Sequence, residues 1–210
     1  MSTKTYNPSV VTQLRSLMPS RHLSVPEALR IAELQAGRLL SLAGIVEAPI
    51  PEDLISALPR VEVRRLSPLP VSGYADWRSG QWIIVVNGSE PLVRQRFSLM
   101  HEFKHVLDHP FVQSAYSADR TQPSRFAEQV CDSFAASVLM PRAWVKAVFC
   151  NEGVQDLAIL ARRFGVSQMA MRVRLLQLGL AEPEPRCSRY RRASGSLELM
   201  PAFEPKGISA

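Results

Sequence analysis

The chain has 210 residues, of which 46% are hydrophobic and 21% are charged, as in an ordinary soluble globular protein with one main core. It contains no apolar run of the roughly 18 residues that a membrane span needs, and residues 1–21 lack the apolar core of a signal peptide. We therefore expect a cytoplasmic protein. The net charge is +6, but lysines and arginines are spread along the chain, so charge alone gives weak support for a nucleic-acid partner.

The first half of the chain contains one helix pattern and several strand patterns. Residues 1–22 show little periodicity and predict a flexible leader. Ser24-Val25-Pro26-Glu27 is a helix-start signal, and apolar residues then recur at helical spacing as far as Gly44. Three short extended segments follow, and a glycine-containing turn joins the last two, which predicts a small antiparallel sheet over 61–86.

The second half is predicted to be helical. Residues 92–107 form a mostly buried helix, and a second helix over 124–140 ends at a proline. Two further helical stretches, 156–164 and 167–178, meet at a glycine. The fold class predicted for the whole chain is therefore α+β, with the small sheet packed on helix 92–107.

The helix over 92–107 carries the sequence HEFKH at residues 101–105. Histidines four residues apart lie about 6 Å apart along a helix and on one side of it, so His101 and His105 can share one cation. Glu102 points about 100° further round the helix, where it can reach a water on that cation. This pattern predicts Zn²⁺ on the two histidines with Glu102 as the catalytic base of a metallopeptidase. The competing interpretation is a pair of ordinary core histidines beside a solvated glutamate.

A catalytic zinc site needs a third protein ligand. His109 is excluded because it lies about 12 Å from His101 along the helix axis. Glu128 and Asp132 share one face of the next helix, and we predict Glu128 as the third ligand and Asp132 as the acceptor that orients a ligand histidine. The alternative is a solvated acidic face. Cys131 lies about 100° away on that helix and is predicted to pack as a small buried residue.

The segment Arg96–His105, followed by Glu128 and then by Asp132–Pro141, resembles the ImmA/IrrE family of metallo-endopeptidases. The resemblance covers about residues 25–180. It departs from the family pattern at Met100 and at Phe103-Lys104, neither of which is a proposed ligand.

The resemblance implies zinc held by His101, His105 and Glu128, with Glu102 as the base. It also implies a protein substrate, a helix-turn-helix transcriptional repressor. The domains expected on this basis are a flexible leader (1–22), a zincin-like peptidase domain (23–150), a helix-turn-helix-like hairpin packed on it or appended to it (151–180) and a flexible tail (181–210).

The hairpin supports a rival function. It fits a helix-turn-helix template, with Ser167 capping a second helix that carries Gln168, Arg172 and Arg174, residue types that contact DNA, while Val173 would return to the core. Packing on the peptidase, docking of the substrate and direct DNA binding all remain open for this segment. The alternative function is therefore a DNA-binding or protein-interaction regulator with a structural zinc, although such a site has no use for Glu102.

The edge of the predicted sheet offers a place for substrate. Residues 72–77 form the exposed edge, where an extended peptide could pair as an additional strand, and Tyr74 is the candidate substrate-binding residue.

Overall fold

The computed structural model of the chain describes residues 9–116 and 123–182. Within these ranges the chain forms a three-stranded sheet and eight α-helices, the sixth of which continues as a π-helical turn over Ala147–Asn151. The elements in chain order are α1 (Val10–Arg15), α2 (Val25–Leu42), β1 (Val61–Leu66), β2 (Gly73–Arg78), β3 (Gln81–Asn87), α3 (Leu92–Asp108), α4 (Val112–Tyr116), α5 (Pro123–Leu139), α6 (Arg142–Lys146), α7 (Leu157–Phe164) and α8 (Gln168–Gln177).

The sheet is mixed, with β3 as its central strand in the order β1-β3-β2. β2 pairs antiparallel with β3 across a tight turn in which Ser79 and Gly80 both have positive φ, as the predicted hairpin requires. β1 runs parallel to β3, so the prediction of a purely antiparallel sheet is wrong for this strand. The connection over 67–72 contains two prolines and crosses the end of β3, where the side-chain amide of Asn87 donates to the Leu69 carbonyl at 3.0 Å.

The core lies between this sheet and the longer helices. Ile83, Ile84, Val85 and Val86 of β3 are all buried, as expected for a strand covered on both faces. α3 packs against β2 and β3 on one side and against α5 on the other, and α5 also packs along α2. The α+β class is thus confirmed, and α3 lies where the sheet and the helical layer meet.

The N-terminal segment is more ordered than its sequence predicts. From residue 9 onward it belongs to the core: α1 buries Leu14 completely, and Met18 is also buried. The Arg15 guanidinium donates to the Val106 and Leu107 carbonyls at 2.7 and 3.2 Å, at the C-terminal end of α3. A flexible leader over 1–22 is therefore wrong for residues 9–22, because a helix of six residues is too short to show a clear period. Residues 1–8 lie outside the described ranges.

The helical hairpin predicted after residue 151 is present as α7 and α8. Gly165 ends α7 in the left-handed conformation with φ of 64°, and the Ser167 hydroxyl accepts from the Ala170 amide at 3.1 Å. The prediction that Val173 of α8 returns to the core is wrong, however, since Val173 is 44% exposed and Arg174 only 6%. Most of the predicted tail, residues 183–210, lies outside the described ranges. No described helix is both long and apolar enough to cross a bilayer.

Candidate metal centre

The candidate site lies where α3 and α5 approach each other. Small residues on α5, Ala127, Ala135 and Ala136, are buried and leave room for a close approach of α3. The rings of Phe103 and Phe134 lie 6.3 Å apart at this contact. The sequences of both helices therefore allow polar side chains from each to meet at one end of the contact.

The three predicted ligands converge at this place. The Nε2 atoms of His101 and His105 lie 3.2 Å apart. The Glu128 carboxylate places Oε2 3.0 Å from Nε2 of His101 and Oε1 3.3 Å from Nε2 of His105. Two imidazole nitrogens and one carboxylate facing a single point form a donor set that zinc binds in catalytic sites, so these residues fit the ion that the motif implies.

Asp132 contacts the first histidine from the opposite side of its ring. The His101 Nδ1 atom lies 2.9 Å from the Asp132 carboxylate, so Nδ1–H donates to that oxygen and Nε2 faces Glu128 and His105. Burial opposes the charged imidazolium, but the Asp132 hydrogen bond and the nearby carboxylates outweigh it and raise the pKa of His101. Asp132 therefore lies next to the ring that the sequence predicts it to orient.

Glu102 lies beside two of the three converging groups, His101 and Glu128. It lines a pocket of about 300 Å³ together with His101, Glu128 and Asp132. Burial raises the pKa of Glu102, and the Glu128 carboxylate adds to this rise while His101 opposes it. A carboxylate whose affinity for a proton is increased in this way is suited to accept one from a bound water.

Gly73 is a site residue that the sequence pattern did not reveal. It belongs to β2 and lines the same pocket. A Cβ atom at this position would lie 2.9 Å from the Val85 carbonyl oxygen and 3.1 Å from Cγ of Glu102. Only glycine therefore lets the strand pass this close to the candidate base. One glycine within a predicted strand was the available signal, but it does not say which neighbour requires it.

Cys131 is buried, as predicted, but it does not point away from the histidines. Its Sγ atom and one nitrogen each of His101 and His105 all lie within 4.8 Å of one another. Burial raises the pKa of this thiol, and the nearby Asp108 carboxylate raises it further. Because the Glu128 oxygens are only 3.0 and 3.3 Å from the ring nitrogens, we regard the carboxylate as the better third ligand.

A buried polar network lies toward the C-terminal end of α3, next to the candidate site. The fully buried Lys104 ammonium donates to the Asp108 carboxylate at 2.5 Å and to the Gln35 side chain at 2.8 Å. The Tyr116 hydroxyl donates to the second Asp108 oxygen at 2.5 Å. These groups satisfy one another away from the pocket, so the unusual lysine within the motif serves the core of the protein.

Tyr74 is not among the residues that line the pocket. Side chains alternate along β2, so Tyr74 faces away from the side on which Gly73 meets Glu102. The Asn87 amide donates to the Ser72 carbonyl, and Tyr74 pairs with Val85 two residues further along β2. The backbone hydrogen bonds between β2 and β3 alternate in the same way. The N–H and C=O groups of Tyr74 therefore point toward β3, and those of Ala75 point outward. The free edge predicted for 72–77 is present.

An α+β chain that brings two histidines four residues apart, a carboxylate from a second helix and an adjacent glutamate together has an arrangement typical of metallopeptidases. The sequence matches the family described as the IrrE N-terminal-like domain over residues 60–176, which is more than half of the chain. The chain belongs to the ImmA/IrrE family of peptidases.

Individual proteins resemble the chain more modestly. It is 28% identical over 162 residues to the radiation response metalloprotease IrrE of Deinococcus radiodurans, an alignment that covers 69% of this chain and 46% of the relative. The chain thus spans about half the length of that relative. A solved structure, a Mycobacterium tuberculosis transcriptional regulator, has a similar fold, with a TM-score of 0.55, 17% identity and coverage of 80% of this chain and 52% of the other.

Proposed function

We propose that this chain is a cytoplasmic zinc-dependent endopeptidase of the HExxH type, and that it hydrolyses a peptide bond in a helix-turn-helix transcriptional repressor. The observation that carries the proposal is the meeting of His101, His105 and Glu128 within 3.3 Å beside the half-buried Glu102. Membership of a peptidase family supports the same chemistry.

Each residue of the site has a distinct task in this proposal. His101, His105 and Glu128 would hold the zinc ion, which supplies a positive charge that acidifies water and polarises the substrate carbonyl. Asp132 holds the His101 ring so that Nε2 is directed at the other two ligands. Glu102 accepts a proton from the attacking water and delivers it to the departing amine, and its raised pKa favours the first of these transfers.

A regulatory substrate is the part of the proposal that the comparisons support. One relative is named for a radiation response, and one protein of similar fold is named a transcriptional regulator. We extend this regulatory setting to the present chain, for which a repressor is the substrate class to test.

Two variants separate catalysis from metal binding. Glu102→Gln should retain zinc, because this residue is not a proposed ligand, but should lower cleavage by about 10²–10⁴-fold through loss of the proton acceptor. Glu128→Ala should lose zinc itself. Zinc content would be measured on purified protein, and cleavage on a repressor encoded nearby and co-expressed with each variant. Cleavage unaffected by Glu102→Gln would refute the proposed chemistry.

Direct DNA binding by α8 receives less support. Arg174, one of the side chains suited to read DNA, is buried and its Nε donates to the Met140 carbonyl at 3.0 Å, so it serves packing within the chain. A salt-sensitive shift of duplex DNA that Arg172→Ala abolishes would restore that function.

A further inference from the structure

A second, larger concavity adjoins the candidate site. It is a groove of about 840 Å³ between α2, α3, α5 and the α7–α8 hairpin, and it shares Arg94, Phe97 and Asp132 with the pocket around Glu102. The groove is therefore continuous with the place where a peptide bond would be cut. None of the chemistry assigned to the metal centre requires a space of this size.

The lining of the groove combines apolar surface with an excess of positive charge. Met169 and Val173 line it while 69% and 44% exposed, and with Phe97 they give the groove an accessible apolar surface. Four arginines line the groove against two acidic residues. Both acidic residues are already engaged, because Glu33 pairs with Arg142 and Arg30 at 3.0 and 3.1 Å, and Asp132 holds His101.

Arg174 lines this groove and has a buried donor without a partner among the described residues. It is 94% buried, and its Nε is bound to the Met140 carbonyl, but its Nη2 atom has no hydrogen-bond partner among the described residues. A buried guanidinium nitrogen without a partner is costly, and an incoming acceptor would remove that cost. Arg142 also lines the groove and keeps 53% of its side chain exposed, so the groove offers two guanidinium groups to a carboxylate.

We infer that this groove receives a segment of the substrate polypeptide next to the scissile bond, and that this segment carries apolar side chains with an acidic residue between them. The apolar side chains contact Met169, Val173 and Phe97, and the acidic side chain reaches Arg142 and Arg174. The inference rests on the proposed function, since it takes the groove as an extension of a peptidase site. Arg174, one of the α8 residues that looked suited to DNA, then serves substrate recognition.

The test measures binding rather than cleavage, so that it can fail separately from the proposed function. The probes are two fluorescein-labelled synthetic peptides, one with glutamates between leucines and one with glutamines in the same positions. Each is titrated with the full chain carrying Glu102→Gln, which prevents hydrolysis, and fluorescence anisotropy is recorded. The glutamate peptide should bind about tenfold more tightly, as expected for one charge-assisted contact.

Variants of the full chain locate the contact. Arg142→Ala should abolish the preference for glutamate, because it removes one cation and leaves Glu33 to repel the peptide. Arg163→Ala is the matched control, an exposed arginine paired with Glu152 outside the groove, and it should leave the preference intact. Met169→Asp should weaken the binding of both peptides. Arg174→Lys keeps the charge but removes the forked donor, and should reduce the preference if the variant folds.

Other outcomes would overturn the inference. Equal binding of the two peptides, or a preference that survives Arg142→Ala, would show that no acidic residue is recognised here. Tighter peptide binding after Glu198→Gln and Glu204→Gln would assign the groove to the segment 197–204 of the chain itself, which places these two glutamates among apolar residues. Dimerisation that competes with the peptide in sedimentation would assign it to a second copy. A clear glutamate preference without any repressor cleavage would instead refute the peptidase and leave the groove as a binding site.

Discussion

Two neighbouring groups of polar side chains on α3 are of opposite kinds. In the first group, His101 and Glu102 line a pocket together with carboxylates from α5, and Nε2 of His105 lies 3.2 Å from Nε2 of His101. In the second group, Lys104 and Asp108 are buried and satisfied by Gln35 and Tyr116. Polar groups that satisfy one another in the core contribute to a unique fold, whereas polar groups that meet around an open space are available to an ion and a substrate.

The largest expected effect is in the buried group. Lys104→Met leaves the Asp108 carboxylate buried without its cation, and should lower the free energy of unfolding by about 3–5 kcal/mol. Urea unfolding of metal-free protein measures this change. The control is Lys146→Met, an exposed lysine, which should change stability by less than about 0.5 kcal/mol. If both variants were equally stable, the buried network would have no structural role.

At the candidate metal centre, Asp132→Asn should weaken zinc binding by about 10–100-fold, because His101, a proposed ligand, loses the carboxylate that orients its ring. Competition with a chelator gives the affinity, and urea unfolding should show little change in stability. Asp76→Asn alters an exposed aspartate paired with Arg78 and serves as the control. An unchanged zinc affinity would contradict the role assigned to Asp132.

Gly73→Ala tests the contact between the sheet and the candidate base. The added methyl would displace the Val85 carbonyl or Glu102, so cleavage should fall by about tenfold while zinc content stays unchanged. The Gly37→Ala variant adds the same methyl in α2, where nothing lies within 4 Å, and should leave cleavage unaffected. Full activity of Gly73→Ala would show that Glu102 tolerates a shift of this strand.

The smallest effect is expected for Cys131, whose Sγ atom lies within 4.8 Å of a nitrogen of His101 and of His105. If Glu128 is the third ligand, Cys131→Ala should change zinc affinity by no more than about twofold. Cobalt-substituted protein gives a second measurement, since a thiolate ligand produces a charge-transfer band in the near ultraviolet. A band that disappears in Cys131→Ala would show that the Cys131 sulfur is a metal ligand.

The free edge of β2 can be tested with one matched pair of prolines. Ala75→Pro removes an outward-facing amide and should damage cleavage with little loss of stability, whereas Tyr74→Pro removes an amide that faces β3 and should destabilise the sheet. Cleavage and urea unfolding are measured on both. Normal cleavage by Ala75→Pro would argue against substrate pairing at this edge.

Local features of this protein could be predicted from its sequence because they depend on neighbours within one helical turn or one tight turn. The spacing of His101 and His105 on a single helix and the end of α7 at Gly165 are of this kind. Glu128 and Asp132 could be placed on one face of α5 for the same reason. That they meet His101 could only be proposed, because it depends on how two helices pack.

Features that depend on distant parts of the chain were decided by the tertiary structure. The parallel pairing of β1, the burial of Arg174 and the approach of Gly73 to Glu102 each join segments far apart in sequence. The facing of α8 shows why. The hydrophobic periodicity of α8 is weak, so the sequence does not determine whether Val173 or Arg174 is buried. In the structure Arg174 is the buried residue, because its guanidinium donates to the Met140 carbonyl on a neighbouring segment. Periodicity gives the local element, but the partner that it meets determines which side is buried.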